Sequence, residues 1–189
     1  MRAVFLDRDG VINEEVDLLH RVDQLRLLPG AAAGIRLLNN AGLKVIVITN
    51  QPVVARGLCT EKDIDVIHDR LRQMLAYDQA HIDAVYFCPH HENADLAEYR
   101  MVCPDRKPSP GMLRRAARDF NLDLKECYMV GDRTVDIQAG KDAGSRTILV
   151  STGYAGGDGK HDITADAVCR DLKHAAEIIV AKELTIAQA

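Results

Sequence analysis

At 189 residues the chain has the length of one ordinary domain, enough to bury roughly two thirds of the surface that its unfolded form would expose. Hydrophobic residues at 47% and charged residues at 28% exclude a disordered or membrane-embedded composition. The formal charge of −4, from 24 Lys plus Arg against 28 Asp plus Glu, excludes a general basic field for a polyanion, so any anion site must be local.

Short β-branched apolar runs alternate with longer amphipathic stretches, which predicts α/β architecture with parallel strands joined by crossover helices. The first strand, residues 3–6, runs into Asp7-Arg8-Asp9-Gly10, two carboxylates with alternate spacing on a chain leaving a buried strand. Gly10 lets the backbone turn just after them and keeps both near the strand tip. A long connection over 13–28 and a helix over 31–40 follow. The second strand, 44–49, ends in Thr49-Asn50-Gln51. That tip can hold a phosphate oxygen through the Thr49 hydroxyl and the amides after it, or can simply cap a helix. A helix over 61–76 carries Ile64, Ile67, Leu71 and Leu75 on one face.

The third strand, 84–88, opens a polar loop over 89–108. Cys88-x-His90 and Cys103-x-Asp105 lie on it at a spacing that offers zinc ligands, or a buried strand end with solvated histidines. Arg106-Lys107-Pro108 precedes a helix over 110–120. Lys107 can neutralise a carboxylate and an incoming phosphate, and Arg106 can make a bidentate contact to a second anionic group. The fourth strand, 127–130, ends in Gly131-Asp132, with Asp136 one helical turn later on a helix over 135–143. Asp132 reads as a metal ligand; Asp136 either positions a metal-bound water or complements the helix dipole. A fifth strand, 146–150, the glycine-containing segment 153–159, either a flexible loop that approaches substrate or a connector, and a last helix over 172–184 complete the chain.

The order Asp-x-Asp, Thr, Lys, Gly-Asp, each at or near the carboxyl end of a predicted strand, resembles the haloacid dehalogenase-like superfamily of phosphohydrolases over residues 3–150. The resemblance implies a three-layer, Rossmann-like parallel sheet of order 5-4-1-2-3, flanked by helices and without a large cap domain. Asp7, Asp9 and Asp132 then meet at the topological switch point. A single domain over 1–189 is expected, with a zinc-binding loop at 88–105. Magnesium, a hard ion, suits the carboxylates of Asp7 and Asp132. The resemblance adds the Asp9 backbone carbonyl as a third ligand, Asp7 as nucleophile and the Asp9 side chain as acid and then base, assisted by Lys107.

A narrower likeness, carried by 6–13, Thr49-Asn50-Gln51 with Ala55-Arg56-Gly57, 88–91 and Arg106-Lys107-Pro108 with Pro110-Gly111, is to the D,D-heptose 1,7-bisphosphate and histidinol-phosphate phosphatases. It implies a structural zinc on Cys88, His90, Cys103 and Asp105, although Asp105 stands where the group has a cysteine. It also implies a small phosphorylated sugar as substrate, held by Thr49, Asn50, Gln51, Arg56 and Arg106. The sequence departs from the group at Val11, where Thr is common, and at Pro52, where the heptose enzymes tend to have Ser. Heptose bisphosphate hydrolysis at position 7 is the leading expectation. Histidinol-phosphate hydrolysis and a non-catalytic phosphosugar-binding protein are the alternatives.

No nucleic-acid partner is expected, with only three Phe and no Trp to stack bases. Residue Met1 leads directly into the first strand, no apolar run approaches the roughly 18 residues of a membrane span, and five cysteines form no disulfide framework. A cytoplasmic monomer is expected.

Overall fold

The computed structural model describes residues 1–187. Six parallel strands form one sheet in the order β3-β2-β1-β4-β5-β6: β1 (Ala3–Leu6), β2 (Lys44–Asn50), β3 (Ala84–Cys88), β4 (Tyr128–Gly131), β5 (Arg146–Val150) and β6 (Ala167–Cys169). The helices are α1 (Ala31–Asn40), α2 (Pro52–Ala55), α3 (Glu61–Tyr77), α4 (Gly111–Asp119), α5 (Thr134–Ala143) and α6 (Leu172–Ala187). The expected order of five strands is present, and β6 extends it at one edge. Three residues long and with Val168 exposed, β6 carries no apolar run that a sequence pattern could register.

The central strands are apolar throughout because both faces of the sheet are covered. Side chains alternate between two layers. Val4, Leu6, Val45, Val47 and Val130 join Ile35 and Leu38 of α1, Ile64, Ile67, Leu71 and Leu75 of α3, and Ile179 of α6. Phe5, Ile46, Ile48 and Met129 face the other way, against Met112, Leu113 and Ala116 of α4 and Ala139 of α5. β1 lies in the middle, with Leu6 in register with Val47 on one side and Val130 on the other.

Local chemistry fixes the helix ends. Thr60 caps α3 by accepting from the Asp63 amide, and the Asp63 carboxylate returns a bond to the Thr60 amide. α5 ends at Gly144, in the left-handed conformation that glycine adopts without strain. The long connection over 13–28 contains a single 3-10 turn, Val22–Gln24, and Asn13 bridges to Leu27. The loop over 89–108 is tied by a second turn, Ala97–Tyr99, and by amides of Asp95 and Leu96 donating to Ala55 O. Among the described residues, no segment forms a cap large enough to enclose the carboxyl ends of the strands.

Candidate active site

The carboxyl ends of β1, β2 and β4 converge on one buried cluster. The Asp7 amide donates to Val130 O at 3.0 Å, which carries the β1–β4 pairing one residue beyond the strand and sets Asp7 beside the end of β4. Gly10, at φ 78°, then reverses the chain, and the amides of Ile12 and Asn13 close onto Arg8 O. A side chain at Gly10 would also overlap the Asp132 carboxylate, so both conformation and space require glycine there.

Carboxylate oxygens of Asp7, Asp132 and Asp136 lie within 4.8 Å of one another, and all three side chains are buried. Lys107, 3% exposed, reaches in from the loop before α4. Its ammonium stands 2.9 Å from Asp7 Oδ1 and 2.6 Å from Asp136 Oδ1, and donates to Ile48 O at 2.8 Å. Burial works against the charge of Lys107, but Asp136 and Asp7 outweigh it and hold its pKa above the ordinary lysine value.

One lysine cannot balance three carboxylates. Burial, with Asp7 and Asp136 adding repulsion, pushes Asp132 up to about 8. Burial also pushes Asp136 up, to about 6, against the opposing pull of Lys107. Asp132 Oδ2 accepts from the Tyr154 amide at 2.7 Å, while Asp132 Oδ1 is buried without a hydrogen-bond partner. An orphaned carboxylate oxygen among excess negative charge, with only oxygen donors around it, fits a hard divalent cation.

Asp9 is held apart from this trio. Its carboxylate accepts from Arg8 Nη2 at 2.9 and 3.0 Å, from Asn13 Nδ2 at 2.8 Å and from Gln51 Nε2 at 2.9 Å. Burial alone would raise its pKa, but Arg8, Asn13 and Gln51 reverse that and leave it lowered.

The tip of β2 differs from expectation. Thr49 is buried, and its hydroxyl oxygen accepts from Gln51 Nε2. The Asn50 side chain clasps the Lys107 backbone at both ends, accepting from Lys107 N and donating to Lys107 O, each at 3.0 Å. The Gln51 amide donates to Cys88 O, and Pro52 has no N–H. Of the amides expected to face an anion after Thr49, that of Gln51 is therefore engaged by β3, which pairs with β2 one residue further than the apolar run indicates. Asn50 and Gln51 instead brace Lys107 and Asp9.

A cavity of about 290 Å³ opens above the cluster, lined among others by Asp7, Asp9, Thr49, Arg56, Arg106 and Lys107. Its rim mixes Arg133, His91 and Lys160 with Glu15, Asp17 and Asp158. Arg133 pairs with Glu15 at 2.8 Å and stacks 3.8 Å from the Tyr154 ring. Thr152 donates to Gly10 O at 2.6 Å, and a side chain at Gly153 would overlap Asp132. The segment after β5 is thus a wall of the site. Arg133 and Thr152 escape sequence reasoning because their spacing forms no motif, whereas Gly153 and Tyr154 lie in the 153–159 segment that the sequence offered as a loop near substrate or a connector.

Beside the cavity, Cys88, His90 and Cys103 also meet within 4.8 Å, but Asp105 is not with them. Its carboxylate pairs with Arg115 of α4 at 2.9 Å, and that guanidinium lies over the Tyr86 ring. The donor set for a structural zinc is three residues, and the expected fourth is occupied by an arginine. Arg106 donates to His90 O, which links this loop to the cavity.

A family model described as HAD-hydrolase-like matches residues 104–175. The chain is 42% identical over 185 residues to D-glycero-D-manno-heptose-1,7-bisphosphate 7-phosphatase of Thermosynechococcus vestitus, covering 94% of each. It is 39% identical over 152 residues to the D-glycero-beta-D-manno-heptose-1,7-bisphosphate 7-phosphatase of Escherichia coli K12, covering 80% of each. The crystal structure of D,D-heptose 1,7-bisphosphate phosphatase from B. bronchiseptica, complexed with magnesium and phosphate, superposes with a TM-score of 0.86 at 35% identity, over 96% of this chain and 99% of that one.

Proposed function

This chain belongs to the HAD-like family of D-glycero-D-manno-heptose-1,7-bisphosphate 7-phosphatases, and on that premise we propose that it removes the phosphate at position 7 of such a bisphosphate through an aspartyl-phosphate on Asp7. The observation that carries the reading is the meeting of Asp7, Asp132 and Asp136, with Lys107 paired to Asp7 and Asp136, beside an open cavity that Arg56 and Arg106 help to line.

The carboxylates of Asp7 and Asp132 and the backbone carbonyl of Asp9 would hold magnesium. When bound, that ion supplies positive charge against the phosphoryl oxygens and offsets the repulsion within the acidic trio. Lys107 and the Arg8 amide both bind Asp7 Oδ1, fixing the carboxylate and leaving the second oxygen to attack phosphorus. The new Asp7–phosphorus bond forms as the bond to the sugar oxygen breaks, and Asp9, ionised before substrate arrives, relays the proton of the monoanionic phosphate ester to that departing oxygen. Asp9 then takes a proton from the water that attacks the aspartyl-phosphate, so inorganic phosphate leaves and Asp7 is restored. Lys107 stays charged throughout, between Asp7 and Asp136, and faces the charge spread over the transferring group. The Thr49 hydroxyl donates a hydrogen bond to a phosphoryl oxygen. Arg56 and Arg106 hold the sugar or its second phosphate, and the supporting contacts of Asn50 and Gln51 keep Lys107 and Asp9 in place.

A structural zinc would be held by Cys88, His90 and Cys103, tying the two ends of the 88–105 loop together beside Arg106. We also place the protein as a monomer in the cytoplasm; among the described residues, no helix is long and apolar enough to cross a membrane. Phosphate release from both anomers of D-glycero-D-manno-heptose 1,7-bisphosphate and from histidinol phosphate, at equal concentration with Mg²⁺, tests the reading. Turnover of a heptose bisphosphate with little of histidinol phosphate is expected. The reverse preference would reassign the substrate, and binding without release would make the protein a non-catalytic sugar-phosphate binder.

A further inference from the structure

Arg8 is the largest fully buried side chain of the described residues, and its guanidinium is committed on three sides. Nε and Nη2 hold Asp9, Nη2 also donates to Gln51 Oε1 at 3.0 Å, and Nη1 lies 3.3 Å from Nε2 of His68 on α3. A guanidinium has donors only, so His68 Nε2 must be the acceptor and the ring must be neutral with its proton on Nδ1. Burial, reinforced by Arg8 and Arg72, keeps it neutral by pushing its pKa down to about 3. The edge of the ring packs against Phe87, with centroids 5.7 Å apart. Neither Arg8 nor His68 lines the cavity, so neither is placed to touch substrate; whatever they contribute passes through Asp9.

We propose that His68 is a positioning residue for proton transfer: by accepting from Arg8 it fixes the plane of the guanidinium, which in turn fixes the Asp9 carboxylate against the leaving oxygen. The inference rests on the reaction proposed above, in which Asp9 relays a proton to the sugar oxygen as its bond to phosphorus breaks. A planar fork orients a carboxylate only if its own plane is fixed. Gln51 fixes one end of the fork and His68 the other. Without the acceptor on α3, the buried Nη1 loses this partner and the fork can pivot toward another one.

A displaced acid matters only where the leaving group needs a proton. The test therefore compares kcat/KM, which reports the first phosphoryl transfer, on heptose 1,7-bisphosphate and on p-nitrophenyl phosphate, whose leaving phenolate departs without help. The full chain with Mg²⁺ is measured as wild type, His68→Leu and His68→Gln. The Leu variant should lose about tenfold or more on the sugar ester and less than about twofold on the aryl ester, since small misplacements of a reacting group cost up to about a hundredfold. The Gln variant, whose amide oxygen can accept from Arg8, should recover most of the loss. The ratio of the two substrates within each variant cancels the amount of folded protein. Equal losses on both esters, or no loss on either, would overturn the inference while leaving the phosphatase reading intact. Absence of wild-type turnover would instead overturn that reading, and this inference with it.

Discussion

Lys107 Nζ lies 2.6 Å from Asp136 Oδ1, closer than the 2.9 Å to Asp7, with the lysine and Asp136 both shut away from solvent. Asp136 also caps α5 by accepting from the Arg133 amide at 3.0 Å, so the helix-end role that its place in the sequence offered is joined by an ion pair with Lys107. Removing Asp136 would leave Lys107 with the Asp7 carboxylate and the Ile48 carbonyl. Asp136→Ala should destabilise the fold by on the order of 3 kcal/mol, the cost of stripping one partner from a buried ion pair together with a helix cap. Urea unfolding of the two proteins measures this. A loss below about 0.5 kcal/mol, the scale of an ordinary surface change, would show that the pair is not maintained in solution.

Asp7→Asn should reduce phosphate release to background while leaving the urea midpoint, without added metal, equal to or above that of wild type. The change removes the nucleophile but also relieves repulsion with Asp132 and Asp136. Wild-type phosphate release by this variant would exclude Asp7 as the nucleophile.

The raised pKa of Asp132 sets the sign of a metal-linked pH effect. The folded state holds this proton more tightly than the unfolded state, so the stability it contributes is fully present below about pH 4 and is lost as pH rises to about 8. Its slope reaches at most about 1.4 kcal/mol per pH unit. A cation that binds the ionised trio reverses the loss. The thermal midpoint of metal-free protein should thus gain more from Mg²⁺ at pH 8 than at pH 6, and binding near pH 7 should release protons, read by calorimetry in two buffers of different ionisation enthalpy. Asp132→Asn should show neither effect. An equal gain at both pH values would mean that Mg²⁺ does not displace a proton from this cluster.

Metal analysis of protein purified without chelator should find close to one zinc per chain, lost in Cys88→Ser and Cys103→Ser. Arg115→Ala releases Asp105 from its ion pair and should slow zinc loss to a competing chelator, because a fourth ligand becomes available. A zinc content near zero in the wild type would remove the metal from this loop without touching the phosphatase assignment.

Much of the fold is local in origin and could be read before any coordinates. The apolar runs of β1, β2 and β4 are continuous because both faces are covered, and the alternation with amphipathic helices leaves few topologies. Even His68 carries a signal: it stands four residues after Ile64 and three before Leu71, on the stripe that α3 buries. β6 and the four-residue α2 are too short for any period to show.

The sequence by itself determined which residues sit at the strand ends, because strand periodicity and the glycine after Asp9 are properties of neighbouring residues. Only the tertiary structure decided what those residues hold. Asn50 clasps Lys107 across 57 positions, Gln51 steadies Asp9 across 42, and Tyr154 caps Asp132 from a segment without a motif. Asp105 faces Arg115 rather than Cys88 for the same reason. A buried polar group takes whichever partner the packed chain brings within about 3 Å, and that choice is made by the whole fold, not by spacing along the chain.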